Sequence, residues 1–221
     1  MNNTCSIIQL LTTLCLLTLF HTAVAADSRS SIKQALSKPE VRGGIVFKHY
    51  CVLCHGERGD GQARASKLYN NEKLNIKSDT ANNYLKIIRK GGKGTGKSEF
   101  MPPWENELSD EQIMDVVAYL GVVSQVIKRG EVVFKTNCIL CHGVNADGKG
   151  RAAKLYNPAP ADLTKSDKNA DYKTMIIRLG GKAMGRSEVM PPWEEQLSDQ
   201  EIYDLVNYLG TLVKTKTSHN Q

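Results

Sequence analysis

The sequence is short of aromatic side chains, at 6% of its 221 residues. A mature chain of about 195 residues is long enough for one domain or two small ones, but so few rings do not fill two small cores. Something other than side chains is expected to fill them. Convincing strands are also lacking: no segment alternates apolar and polar residues, which excludes a sheet protein and leaves an all-α class. Charge is missing altogether from the first 26 residues, which contain no Lys, Arg, Asp or Glu. Apolar residues dominate from Ile7 to Phe20, and Ala23-Val24-Ala25 has the small residues of a cleavage site. Residues 1–26 therefore read as a secretory signal peptide, which places the mature chain in the periplasm, although basic residues are absent before the run. An uncleaved membrane anchor is the weaker alternative, because Gln9, several Thr and His21 interrupt the run. Cys5 and Cys15 leave with the leader.

One motif invites a reading that its context refuses. Gly91, Gly96, Lys97 and Ser98 match the phosphate-binding pattern G-x-x-x-x-G-K-[ST]. A true phosphate loop follows a strand and opens a long helix. Here Tyr84 to Lys90 reads as a helix, and Pro102-Pro103 soon follows, which a long helix does not tolerate. No nucleotide is expected, and no nucleic acid either, since no recognition motif is present.

An internal repeat decides the architecture. Cys51-Val-Leu-Cys54-His55-Gly56 recurs 87 residues later as Cys138-Ile-Leu-Cys141-His142-Gly143, and Met101-Pro-Pro-Trp104 recurs 89 residues later as Met190-Pro-Pro-Trp193. The second copy thus carries two extra residues after Asn157. The glycine stretch recurs as residues 180–187 with Arg186 in place of Lys97, which removes the phosphate loop's lysine. Each copy begins with Gly-x-x-x-Phe-x-x-x-Cys, from Gly43 and from Gly130, which reads as a short helix. Each ends with a helix opened by a capping box, Ser109 with Gln112 and Ser198 with Glu201. The domains are placed at 32–122 and 127–215. The few residues between them imply two domains in contact.

C-x-x-C-H is the attachment signature of a c-type haem. Two thiols three positions apart can form thioethers to the two vinyl groups of one porphyrin, and the next residue places an imidazole under the iron. A redox C-x-x-C would not need the histidine twice. A structural zinc site would need its two cysteine pairs close in sequence. Simple disulfides fit the compartment but explain neither histidine. Two covalently attached haems c are expected, on Cys51, Cys54 and His55, and on Cys138, Cys141 and His142.

The sixth iron position is assigned to Met101 and Met190. Both lie in irregular segments followed by Pro-Pro-Trp, and the thioether is a soft ligand for haem iron. Met184 competes in the second copy, but its counterpart is Thr95. Met114 and Met175 sit in helical patterns and read as core. His49 reads as a surface or packing residue. The glycine stretch is expected to carry the chain across the porphyrin edge and present the methionine.

Both copies resemble class I cytochrome c domains, over about 170 residues, and the tandem resembles the di-haem periplasmic cytochromes of bacterial respiratory chains, the c-four kind among them. The resemblance implies helices wrapped around each haem and a role as electron carrier. It places Gly43 and Phe47 near Tyr119, and Gly130 and Phe134 near Tyr208. It also implies that a proline carbonyl, Pro158 or Pro160, receives the N–H of His142, with no equivalent in the first copy, so that the two haems differ in potential.

With His and Met on both irons, neither site is open, so the chain is read as a carrier of single electrons between respiratory redox partners and not as an enzyme. A docked subunit of an oxidase or dehydrogenase is the alternative, and a di-haem peroxidase a weaker one. Lys86, Arg89, Lys90, Lys93 and Lys97, with Lys173, Arg178, Lys182 and Arg186, form a basic rim that would steer an acidic partner or a membrane-bound oxidase or reductase.

Overall fold

A computed structural model describes residues 30–69, 74–76 and 81–213. A first helical segment, α1, covers residues 30–36. The first copy continues with α2 (Pro39–Tyr50), α3 (Val52–His55), α4 (Ala81–Lys90) and α5 (Asp110–Leu120). The second has α6 (Val126–Asn137), α7 (Ile139–His142), α8 (Ala170–Ala183) and α9 (Asp199–Leu212). Among the described residues there is no strand, only an isolated bridge between Asp60 and Asn75.

Local chemistry explains the helix limits. Pro39 opens α2, where its missing N–H costs nothing, and Lys48 and His49 close it at the negative end of the dipole. Both capping boxes form. Ser109 accepts from the Gln112 N–H at 3.2 Å while the Gln112 side chain accepts from the Ser109 N–H at 2.9 Å. Ser198 and Glu201 do the same at 3.1 and 2.9 Å.

In each copy the first and last long helices cross at a glycine. A Cβ on Gly43 would stand 1.9 Å from the Asp115 carbonyl oxygen, and one on Gly130 would stand 2.0 Å from that of Asp204. Phe47 meets Tyr119 with ring centroids 5.2 Å apart, and Phe134 meets Tyr208 at 5.6 Å, as the resemblance implies. Ile113, Val116 and Val41 close the first core, and Ile202, Leu205 and Phe134 the second.

Each crossing is locked by an ion pair that the sequence reading does not contain. Arg42 donates to both carboxylate oxygens of Asp115 at 2.6 Å. Arg129 donates to Asp204 at 2.6 and 2.8 Å and to the Val123 carbonyl at 2.8 Å. The signal was present: Arg precedes the crossing glycine in both copies, and Asp115 and Asp204 hold equivalent places.

The two copies interlock. Val132 of α6 belongs to the first core, whereas Ala35 of α1 is buried in the second, with Ile32 packed beside it. Two expectations are corrected here. Met114 and Met175 are about half exposed and belong to neither core. Each lies on the solvent side of its helix, because the apolar pattern of these short helices is wider than the face that packs.

Candidate functional site

The Cys-Cys-His segment grows out of the C-terminus of the helix before it. The Cys51 N–H donates to Phe47 O at 2.9 Å, and the His55 N–H to Cys51 O at 3.0 Å. The second copy repeats this at 2.8 Å for Cys138 to Phe134 and 2.9 Å for His142 to Cys138. The short helices α3 and α7 therefore place both thiols and the imidazole on one turn. No disulfide joins these four cysteines. Burial pushes the Cys51 and Cys138 thiols up to about 12, which is the reverse of a low-pKa redox pair.

Each histidine is oriented through its Nδ1. His55 Nδ1 lies 2.7 Å from Leu74 O, and His142 Nδ1 lies 3.1 Å from Ala161 O. A carbonyl only accepts, so Nδ1 carries the proton and Nε2 keeps its lone pair for a metal. Burial also lowers both imidazole pKa values, which favours the neutral form a ligand needs. The expected proline carbonyl is not the partner. Neither Pro158 nor Pro160 receives the proton; Ala161 does, and Leu74, likewise 19 residues after its histidine, does so in the first copy. The register up to Leu74 and Ala161 is thus unbroken, and the two extra residues enter between there and Ile176. The proposed inequality of the two haems loses this support.

The methionines are held by the glycine pair of the phosphate-loop lookalike. Gly91 has φ 68° and Gly180 φ 78°. A Cβ on Gly91 would lie 2.7 Å from Met101 O and from Pro103 N, and one on Gly180 would lie 2.8 Å from Met190 O and from Pro192 N. The next glycine N–H donates to the methionine carbonyl, Gly92 to Met101 at 2.9 Å and Gly181 to Met190 at 2.8 Å. The Trp104 N–H then returns to Ile88 O at 2.9 Å, and that of Trp193 to Ile177 O at 3.0 Å. Backbone brackets thus fix each methionine from both sides.

Cys51, Cys54, His55, Met101, Phe100 and Trp104 line one cavity of about 190 Å³ in the first copy. Its walls are mostly apolar, yet Trp104 Nε1 is buried there with no hydrogen-bond partner. Such an atom asks for an acceptor. A flat, apolar macrocycle that carries its own metal and acidic tails fits this set: two thiols for covalent attachment, one nitrogen and one sulfur for the metal, and an indole N–H for a carboxylate. Among the described residues no group of three or more His, Cys, Asp or Glu could hold a bare metal ion. The basic rim is partly neutralised by its neighbours: Arg89 pairs with Asp110 at 2.8 Å, Lys90 with Glu105 at 3.1 Å, Arg178 with Asp199 at 2.5 Å and Lys182 with Glu188 at 3.5 Å.

Comparison with known proteins matches this geometry. Residues 127–213 match the cytochrome c family model, and residues 40–120 match that of the cbb3-type cytochrome c oxidase subunit III. Similar curated proteins include the Cbb3-type cytochrome c oxidase subunit FixP of Sinorhizobium medicae (strain WSM419), 25% identical over 197 residues, which cover 83% of this chain and 66% of that protein. The subunit CcoP of Azospirillum brasilense is 25% identical over 216 residues, covering 87% and 70%. The subunit FixPc of Rhizobium leguminosarum bv. viciae is 29% identical over 207 residues, covering 88% and 69%. The chain thus spans about two thirds of the length of these relatives.

These relatives overturn one expectation. A chain set free in the periplasm by leader cleavage does not fit relatives that are oxidase subunits. The reason is physical: the apolar stretch of a cleaved leader and that of a retained anchor bury the same kind of surface in the same bilayer. The run from Ile7 to Phe20 lies outside the described residues, among which no helix is long and apolar enough to cross a membrane. What both halves share is firmer than their location, for the repeat, the helical fold and the family matches all agree: the chain belongs to the cytochrome c family as a tandem of two class I domains with two covalently bound haems c.

Proposed function

We propose that the chain is the di-haem electron-transfer subunit of a membrane-bound oxidase complex, relaying single electrons toward the oxidase and performing no catalysis itself. The observation that carries this is the pairing of two haem sites, each equipped with one imidazole and one thioether, with relatives that are subunits of cbb3-type oxidases. The haem supplies an iron that cycles between ferrous and ferric.

The residues do the rest. The thiols of Cys51 and Cys54, and of Cys138 and Cys141, would hold the two haems through thioether bonds. His55 and His142 would give Nε2 to the iron, with Nδ1–H anchored to Leu74 and Ala161. Met101 and Met190 would give it sulfur, held by their glycine brackets. An iron so ligated would have no open position for a substrate.

The test is to solubilise membranes carrying the tagged full chain in mild detergent and resolve them on a native gel. Haem stain and oxidase activity are expected to migrate together with the tag. Recovery of the chain alone in the soluble fraction would defeat the subunit reading. In the same preparation, reduced, no haem of this chain should take up carbon monoxide. Prompt uptake at one haem would reveal an open site and favour an enzyme.

A further inference from the structure

Glu57 follows His55-Gly56, and its counterpart 87 residues on is Val144, which packs against the second core. Glu57 instead reaches into the other copy. Its Oε2 accepts from Ser198 Oγ at 2.8 Å. Ser198 is the N-cap of α9 and is engaged with Glu201 in its capping box. Lys48, in the last turn of α2, arrives at the same place: its Nζ lies 2.7 and 2.8 Å from the two Glu201 oxygens and 3.1 Å from Gln196 O. The contact is not reciprocated. Lys135, the counterpart of Lys48, pairs with Glu131 in its own helix. Behind these side chains the helices close tightly, for a Cβ on Gly44 would stand 2.7 Å from Val132 Cγ1.

We infer that Lys48 and Glu57 clasp the N-terminus of α9 and thereby fix the second haem pocket against the first for electron transfer between them. This rests on the relay reading above. Neither side chain lines the cavity, so both act as positioning residues. Their leverage comes from where they attach. Glu57 is one residue from His55-Gly56. On the other side, the Leu197 N–H donates to Trp193 O at 2.8 Å, so the turn that Ser198 ends runs directly into the bracket holding Met190. The clasp joins the histidine side of one pocket to the methionine side of the other. Without the clasp, only the apolar contacts between the copies, Val132 and Ala35 among them, would hold the two pockets in place.

The full holo-chain tests this in three variants: Lys48→Met with Glu57→Val, which installs the second copy's residue; Glu57→Gln, which keeps an acceptor for the Ser198 hydroxyl; and Ser198→Asp, which keeps a good N-cap but sets a carboxylate against Glu57. Haem content and optical spectra verify both pockets, and flash photoreduction measures equilibration between the haems. The double variant and Ser198→Asp are expected to slow equilibration by about tenfold as the docked population falls. Glu57→Gln should stay near the parent. An unchanged rate in the double variant and in Ser198→Asp, with both spectra intact, would overturn the clasp. Absence of any transfer between the haems in the parent chain would overturn the relay reading itself, and that result appears before any substitution is made.

Discussion

A single atom shows how a residue's environment states a need. Trp104 Nε1 is buried beside the thiols and His55 without a partner. The acceptors that haem c brings are its carboxylates. With a haem carboxylate as its acceptor, replacing Trp104 with Phe would remove a hydrogen bond to a charged group, of about 1.5–3 kcal/mol. The first haem's potential is expected to fall, because less compensated carboxylate charge favours the ferric state, while the second stays put. A redox titration resolving the two haems checks this; equal shifts in both would refute it. Asp162 makes a second case. It accepts from the Thr164 N–H at 3.0 Å and from its hydroxyl at 2.6 Å, and it pairs with Lys165 at 2.9 Å. These contacts, the Thr164 hydroxyl foremost, hold its carboxyl down to about 2, against an ordinary 3.8. A depressed carboxylate stabilises the fold above its unfolded value and loses that contribution as pH falls toward 2. The stability gap between parent and Asp162→Ala should therefore be open at neutral pH and close between about pH 4 and 2 in acid unfolding.

Elements record the part of the fold that was readable without coordinates. The crossing glycines, Phe47 with Tyr119, the capping boxes and the helix before the glycine stretch all follow from spacing or from the family resemblance, because each depends on residues close in sequence or repeated in register. What was not readable depends on contacts across the fold. The Arg42–Asp115 and Arg129–Asp204 pairs join residues more than 70 positions apart, and the carbonyl that receives His142 belongs to Ala161 because the backbone there, not the proline ring, sets the direction. The exposed Met114 and Met175 show the same limit: helical periodicity says which residues share a face, not how wide the buried part of it is. At this scale Gly130→Ala is a sharp test. Its Cβ would fall 2.0 Å from Asp204 O and 2.7 Å from Tyr208 Cβ, so α6 and α9 must separate. A loss of about 3 kcal/mol or more in denaturant unfolding is expected, at the upper end of overpacking costs. Gly210→Ala, which meets nothing within 4 Å in the same helix α9, should cost nothing measurable and serves as the control.

The whole molecule is less modular than its repeat suggests. Segment α1 leads into the first copy, whose expected bounds of 32–122 include Ala35, but buries Ala35 in the core of the second, while Val132 of the second copy's first helix enters the core of the first. Each core is therefore completed by a residue from beyond its own boundary. Two consequences follow for unfolding. The parent holo-chain should unfold in one transition, since neither core closes alone. Deleting residues 30–37 should weaken the second copy before the first, although the deleted segment adjoins the first. Hydrogen exchange read on peptides of each copy reports the two sides separately without a substitution at either tryptophan. In the intact chain the two copies should give coincident midpoints in denaturant. In the deleted chain the midpoint of the second copy should drop below that of the first. The reverse order would mean that α1 supports the copy it adjoins, and the cores would then be independent despite the residues they exchange.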